Sequence, residues 1–300
     1  MRIFITGATG FIGIATVKEL IAAGHQVLGM ARSDEGAKSL KAIGADIHRG
    51  SLEDLESLKD GAAAADAVIH LAFIHDFSKF QENCEKDRRA IEALGSVLGG
   101  SKRPFLVTAG TGGVAPGQVA TEDMDVPPGF PFPRVSERAA LALKGVNASV
   151  MRLPQVHNTV KQGLVTYLVA AAREKGLSAY VGEGGNRWAA GHVSDTARLY
   201  RLAIENGEPG AKYHAVGEEG VTMRDIAEAI GRGLKVPVKS LSPDEAQDHF
   251  GWLAAFAGLD MPASSARTQE QLRWHPTGPG LIADLEQMRY VEGETFRHAK

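Results

Sequence analysis

The sequence predicts an α/β protein, a doubly wound parallel sheet with helices on both faces and a smaller C-terminal lobe. Three observations carry that expectation. A glycine-rich turn, Thr6-Gly7-Ala8-Thr9-Gly10-Phe11-Ile12-Gly13, lies directly behind the apolar run Ile3, Phe4, Ile5 and directly ahead of a helical pattern at Ile14, Val17, Leu20 and Ile21. Strand and helix signals then alternate through the first half of the chain, the cadence of βαβ units. Finally, 44% of the 300 residues are hydrophobic, enough for a large core without covalent staples.

Taken in order, Gly24 ends the first helix and Gln26 to Met30 reads as the second strand. Ala45 to His48 precedes a short helix at Leu52 to Leu58, and Ala67 to Leu71 precedes a long one from Phe80 to Leu98. Phe105 to Thr108 is the fifth strand, a helix is expected at Ser136 to Leu143, and Ser149 to Met151 is the sixth strand. The Pro/Gly-rich stretch Pro127 to Pro133 reads as a loop. Beyond Arg152 the cadence breaks into a helix at Gly163 to Glu174, a strand at Ala179 to Val181, a helix at Ser194 to Glu205 and a strand at Tyr213 to Val216. Helices near Thr222 to Gly233 and at Pro243 to Phe250 follow. Residues 1–155 are therefore expected to bind a dinucleotide, with 190–208 returning to that unit, and residues 156–189 and 209–300 to form a substrate lobe.

Glycines at a strand-to-helix turn let the backbone adopt positive φ and let the helix N-terminus approach an anion. With a strand before, a helix after and a βαβ continuation, the turn is read as the pyrophosphate cradle of a Rossmann-type fold, formed by Gly7, Thr9, Gly10, Phe11, Ile12 and Gly13. Ligands of such sheets lie at the carboxyl ends of the strands, which selects His70 to Asp76, Thr108 to Gly113 and Arg152 to His157. Leu71, Ala72, Phe73, Thr108 and Pro154 are the expected cofactor contacts there, with Ser51 and Leu52 after the third strand.

The acidic residue that normally accepts the adenine ribose hydroxyls of NAD is replaced by Ala31 at the end of the second strand, and Arg32 and Ser33 follow. Arginine offers a forked donor to a phosphate, so NADP is expected over NAD. Asp34 argues the other way, unless it caps the next helix.

The charge of −3, from 33 basic and 36 acidic residues mixed along the chain, excludes a basic stripe for nucleic acid and a polybasic membrane anchor. Cys84 is the only cysteine, which rules out an intramolecular disulfide and a cysteine zinc cluster. Met1-Arg2 leads straight into the first strand, and no apolar run approaches the roughly eighteen residues of a membrane helix, so a cytoplasmic protein is expected. No His/Asp spacing is diagnostic of a metal, and none is expected.

At this point the sequence resembles the short-chain dehydrogenase/reductase superfamily in its extended, epimerase-like branch. The turn matches that branch's T-G-x-x-G-x-x-G, and His70-Leu71-Ala72 its His-Leu-Ala-Ala. Arg152 to His157 is similar to its Arg-x-x-x-Val-Tyr-Gly, and His192-Val193-Ser194-Asp195 to its His-Val-x-Asp. The resemblance implies dimerisation through the helices after the fourth and fifth strands. It also implies a catalytic Tyr-x-x-x-Lys pair, but no tyrosine precedes Tyr167. Anchoring on Ser136 puts Pro133 and Glu137 at the paired positions; sliding by one puts Arg134 and Arg138 there. The family's catalytic serine falls near Gly110, with Thr108 and Thr111 the nearest hydroxyls. An atypical subgroup is similar in carrying basic residues in place of the pair.

Arginine polarises a carbonyl but is a permanent cation and a poor proton donor. A histidine must then supply the proton, and of His75, His157 and His192 the expectation falls on His157, with Thr111, Arg134 and Arg138 completing the catalytic set. His75, Arg187, Trp188 and His192 are the expected substrate contacts, Arg187 as a diphosphate clamp, and Trp252 and Phe256 are available to an apolar pocket. The bland alternatives are a solvated helix face for Arg134 and Arg138, a polar turn for His75-Asp76, and a satisfied structural histidine for His214. Three functions compete: an NADP-dependent reductase of a small carbonyl compound, a sugar-nucleotide epimerase or dehydratase, and a catalytically silent NADP(H) sensor.

Overall fold

The computed structural model describes residues 1–127 and 134–290; nearly all of the Pro127 to Pro133 loop, including the candidate Pro133, lies outside the described residues. The first half runs β1 (Arg2–Thr6), α1 (Phe11–Ala22), β2 (Gln26–Ala31), α2 (Asp34–Ala42), β3 (Asp46–Arg49), α3 (Leu55–Ala63), β4 (Ala67–His70), α4 (Phe80–Leu98), β5 (Pro104–Gly110), α5 (Ser136–Leu141) and β6 (Asn147–Leu153). It continues through β7 (Gln155–His157), α6 (Val165–Lys175), β8 (Ser178–Val181), β9 (Arg187–His192), α7 (Val193–Asn206) and β10 (Lys212–His214). The remainder is β11 (Glu218–Thr222), α8 (Met223–Leu234), β12 (Val238–Leu241), α9 (Pro243–Phe250), α10 (Ala254–Ala257), α11 (Ala266–Leu272) and α12 (Leu281–Gln287).

Seven strands form one sheet in the order β10-β6-β5-β4-β1-β2-β3, with every pairing parallel. Period-two alternation along β1 explains why the sheet is buried on both sides: Ile3 and Ile5 face the core under α1, α2 and α7, whereas Phe4 faces the core under α3, α4 and α5. The order reverses between β1 and β4, so the glycine turn sits at the topological switch point, where such sheets open a crevice. A three-stranded sheet, β11-β9-β7, and the pair β12-β8 lie outside it; a second core gathers around Trp188, Ile226 and Leu285. Strand β10 comes from the stretch that the sequence reading gave to the substrate lobe, yet it is the edge strand of the main sheet, paired with β6.

Local chemistry moves some boundaries. The helix expected at Leu52 starts at Leu55, because the Asp54 carboxylate accepts from the Ser57 N–H (3.1 Å) and caps it. The cap of α2 is Ser33, not Asp34; its hydroxyl accepts from the Gly36 N–H (3.1 Å), and Asp34 instead pairs with Arg49. Helix α5 has only 6 residues, so only one of the two helices named for dimerisation is long. Among the described residues no helix is long and apolar enough to cross a membrane.

Candidate active site

The glycine turn is closed on itself so tightly that side chains are excluded. Gly7 has φ +71°, and a Cβ there would lie 2.7 Å from the Ala72 nitrogen; a Cβ on Gly13 would lie 2.1 Å from the Gly7 carbonyl oxygen. The Gly10 N–H donates to that same carbonyl (3.0 Å), and no side chain caps α1. The first-turn N–H groups of Phe11, Ile12 and Gly13 therefore remain available to an anion, with exposed Thr9 beside them. Gly36, in the first turn of α2, is just as close: a Cβ on it would lie 2.9 Å from Thr9 Cγ2. Arg32, at the end of β2, is exposed and has no ion-pair partner among the described residues. Ser51 is half-buried, and Leu52 packs into the core under α3 and α4.

From this turn a buried hydrogen-bonded chain runs across the strand ends. Thr6 Oγ1 lies 2.8 Å from His70 Nδ1, and His70 Nε2 lies 3.0 Å from Asp87 Oδ1. The Ser136 hydroxyl donates to Asp87 Oδ2 (2.6 Å), and Arg134 Nε donates to Ser136 Oγ (3.1 Å). An ionised Asp87 accepts from His70 Nε2, while the Thr6 hydroxyl, held against His70 Nδ1, also accepts from the Ala72 N–H (3.3 Å). Burial pushes the Asp87 pKa up, but His70, Arg134 and Ser136 together outweigh it and hold the carboxyl below its ordinary value. The result ties the phosphate turn to Arg134, whose Nη2 donates to the Thr108 carbonyl (3.2 Å) and whose guanidinium lies 4.4 Å over the Phe73 ring. Nη1 of Arg134 has no partner among the described residues.

Next to Arg134 the loop after β4 carries His75, its ring 5.4 Å from Phe73 and 6.3 Å from Phe77. The ring is exposed on one side and packed against Phe73 and Phe77 on the other; desolvation there, with the charges of Arg134 and Lys161, lowers its pKa to about 4. Lys161 follows β7 and is half-buried, and burial lowers its pKa; its amine has no partner among the described residues. Phe77 stacks on Trp252 (4.2 Å between centroids, 14° between planes), and Tyr167 meets both rings edge-on.

The strand ends thus bring Thr108, Thr111, Arg134, Phe73, His75, Leu71, Ala72 and Pro154 to the carboxyl-end edge of the sheet. Thr111 is buried, its N–H bonded to the Leu153 carbonyl (3.0 Å) and its hydroxyl turned towards the same oxygen (3.4 Å). Several expected residues go elsewhere. Arg134 precedes α5 instead of lying on it, so Arg138 does not share a helical face with it; Arg138 is exposed in an outer groove of about 360 Å³ with Arg88 and Glu92. Glu137, from the other register, is bound bidentately to buried Arg152 (2.6 and 2.7 Å).

His157 is fully buried, bonded through Nδ1 to Asp284 (2.6 Å), and burial keeps its pKa low against the pull of that carboxylate. It lines a cavity of about 260 Å³ with His192, Asp195, Glu218 and Gly278, to which, among the described residues, no loop after β1, β4 or β5 contributes. His192 caps α7, accepting from the Ser194 N–H (3.3 Å). Trp188 is not a cleft wall: it is fully buried in the second core, its indole N–H on the Leu259 carbonyl (3.2 Å). Arg187 is held by Asp260 through Nε (3.1 Å) and Nη2 (2.8 Å), which occupies the fork expected to clamp a diphosphate. His214 is structural, between the Ser264 carbonyl (2.7 Å) and Arg152 (3.1 Å). The residues missed by sequence are Lys161, Phe77 and Tyr167. The aromatic run Phe73 to Phe80 signalled Phe77; nothing short of the tertiary packing signalled the other two.

Comparison with known proteins agrees with this fold. The model of the NAD dependent epimerase/dehydratase family matches residues 3–216. An uncharacterized protein of Schizosaccharomyces pombe is 47% identical over 295 residues, 97% of this chain and 100% of that protein. The Dictyostelium discoideum protein named sterol-4-alpha-carboxylate 3-dehydrogenase, decarboxylating, is 28% identical over 247 residues, 74% of this chain and 73% of its own. A 2-alkyl-3-oxoalkanoate reductase of Stenotrophomonas maltophilia is 27% identical over 256 residues, 79% of this chain and 77% of its own. Among solved structures, the dTDP-glucose 4,6-dehydratase DesIV of Streptomyces venezuelae with NAD and TYD bound superposes with a TM-score of 0.74 at 19% identity, over 96% of each chain. The chain belongs to the NAD dependent epimerase/dehydratase family.

Proposed function

We propose that the protein is an NADP-dependent oxidoreductase that reduces a carbonyl, or oxidises the matching alcohol, of a small organic substrate, with Arg134 and His75 in place of a tyrosine and lysine. The observation that carries this reading is the anchoring of Arg134 on Thr108 and Ser136 at the strand ends, with Nη1 left over for a substrate oxygen. The cradle at Gly7, Gly10 and Gly13, which a Cβ would fill, fits a pyrophosphate. Free Arg32 beside the start of α2 favours the extra phosphate of NADP over the ribose hydroxyls of NAD. Gly7, Gly10, Gly13 and Arg32 would hold the cofactor, which when reduced would be the source of the hydride for the carbonyl carbon. Arg134 stabilises the negative charge developing on the oxygen.

The proton comes from His75 rather than His157, because only His75 shares the cleft with Arg134. With a pKa of about 4 its imidazolium form is scarce at neutral pH, so reduction is favoured in acid. The names of a dehydrogenase and a reductase among the relatives support redox chemistry at a carbonyl or alcohol. A reducing, cytoplasmic setting fits a chain whose one cysteine, Cys84, is buried and unpaired.

Incubation with NADPH and a panel of ketones, aldehydes and oxo acids tests the reading. Net NADPH consumption is the expected result. Turnover of sugar nucleotides without net consumption would favour the epimerase or dehydratase reading, and tight cofactor binding without any turnover the sensor.

A further inference from the structure

The cleft next to Arg134 carries more positive charge than its own residues neutralise. Arg134 makes no direct hydrogen bond to the Asp87 carboxylate, which it reaches through Ser136 and by its charge at longer range, and Asp87 is shared with His70. Lys161 has no carboxylate or hydrogen-bond partner among the described residues, although it is half-buried. A half-buried ammonium without a counter-charge is costly, and a bound anion removes that cost. On the far side of His75 the surface changes character. Phe77 from the loop after β4, Tyr167 from α6 and Trp252 from the 3-10 turn after α9 meet as an aromatic wall, with Trp252 43% exposed. Rings held against one another, with Trp252 open to solvent, offer a flat apolar body a contact area at little cost in side-chain freedom.

Resting on the oxidoreductase reading, we propose that the substrate is an oxo acid with an apolar, ring-sized body: its carboxylate on Lys161, its carbonyl oxygen on Arg134, and its apolar part against Phe77, Tyr167 and Trp252. The arrangement orients the molecule by charge at one end and by aromatic contact at the other, which fixes the carbonyl beside Arg134. It also couples binding to protonation. The charges bearing on the His75 ring are Arg134 and Lys161, so an anion between them offsets the repulsion that now keeps the imidazole neutral. The proton donor is thereby readied only when an acid is bound.

The test reads binding and not turnover. Protein saturated with NADP is titrated with naphthoate and, separately, with the uncharged naphthamide, following the emission of Trp252; Trp188 and Trp274 are fully buried. Naphthoate is expected to bind at least about 10-fold more tightly than naphthamide, the scale of one charge-assisted contact. Lys161→Gln should abolish that preference by weakening naphthoate alone, Lys161→Arg should keep it, and Phe77→Ala should weaken both ligands equally. Trp252→Phe should remove the signal, and the nuclear magnetic resonance midpoint of His75 should rise with naphthoate and stay put with naphthamide. Equal affinities in the unmodified protein, a preference that survives Lys161→Gln, or saturable binding that leaves Trp252 emission unchanged would overturn the assignment. Selective acid binding without NADPH consumption by any oxo acid would instead overturn the oxidoreductase reading and uphold the ligand class.

Discussion

Replacing Arg32 by alanine isolates the choice of cofactor from everything else in the molecule. Arg32 is exposed at the end of β2, makes no ion pair among the described residues, and lies ahead of the Ser33 cap of α2. Its removal therefore leaves the fold's hydrogen bonds in place, and the melting temperature should not move. The neighbouring negative charge of Asp34 is already matched by Arg49, so it offers Arg32 no competing partner. A charge-assisted bond to a phosphate contributes about 1.5–3 kcal/mol, equivalent to roughly a 10- to 100-fold change in affinity. At an exposed position solvent and salt screen the contact, which puts the expectation for Arg32→Ala at the low end near physiological ionic strength and higher in dilute buffer. The assay is an equilibrium titration following the fluorescence of NADPH and, in parallel, of NADH. NADPH affinity should fall by about tenfold or more while NADH affinity stays within about twofold. Equal affinities of the unmodified protein for the two cofactors, or a parallel loss of both in the variant, would refute the argument.

Other consequences follow from the strand-end geometry. Arg134→Gln should lower the rate of carbonyl reduction by about 10²- to 10³-fold, the scale of removing one oxyanion donor, with NADPH affinity nearly unchanged; steady-state kinetics alongside a cofactor titration check it. His75 should titrate near pH 4 by nuclear magnetic resonance, moving up part of the way in Lys161→Met because burial, the larger cause, remains. Since its folded pKa lies below the unfolded value near 6.5, stability from His75 should be present above about pH 6.5 and lost between there and about pH 4. With an uncharged carbonyl substrate, which leaves the His75 pKa where it is, the reduction rate per bound substrate should rise as pH falls through that same interval.

Asp87→Asn leaves His70 and Ser136 with a mismatched partner and should cost about 1–3 kcal/mol in urea unfolding at neutral pH. Because the Asp87 pKa is depressed in the folded protein, its contribution is present above the unfolded carboxylate value near 4 and lost as pH falls through the lower folded value; that acid-side loss should shrink in the variant.

What the sequence made legible was the part governed by local periodicity. The β1 turn and α1, the long α4 and the capped α9 are all dictated by neighbours within a few positions: glycines where a Cβ would strike backbone, helical spacing of apolar residues, and Ser242 with Glu245 as a capping box. Strands β7, β9, β11 and β12 were not legible, because they lie outside the βαβ cadence and their partners lie far along the chain, as with Gln155 against Ala190. The site divides along the same line. The strand-end positions of its candidate cofactor residues follow from local periodicity. Its substrate half depends on where chain direction changes near Arg134 and Lys161, which one spacing rule in a helix, Arg134 to Arg138, misjudged. Trp188 and His157 show the same limit: a residue on a short strand outside the main sheet faces a site or the core according to packing that only the fold reveals.

The central claim is that the amino-terminal glycine turn, at the switch point between β1 and β4, holds a dinucleotide. A calorimetric titration of NADPH into the intact protein tests it most directly. Saturable binding of one molecule per chain, tighter than that of NADH, is the predicted result. An absence of saturation with either dinucleotide at millimolar concentration would contradict it.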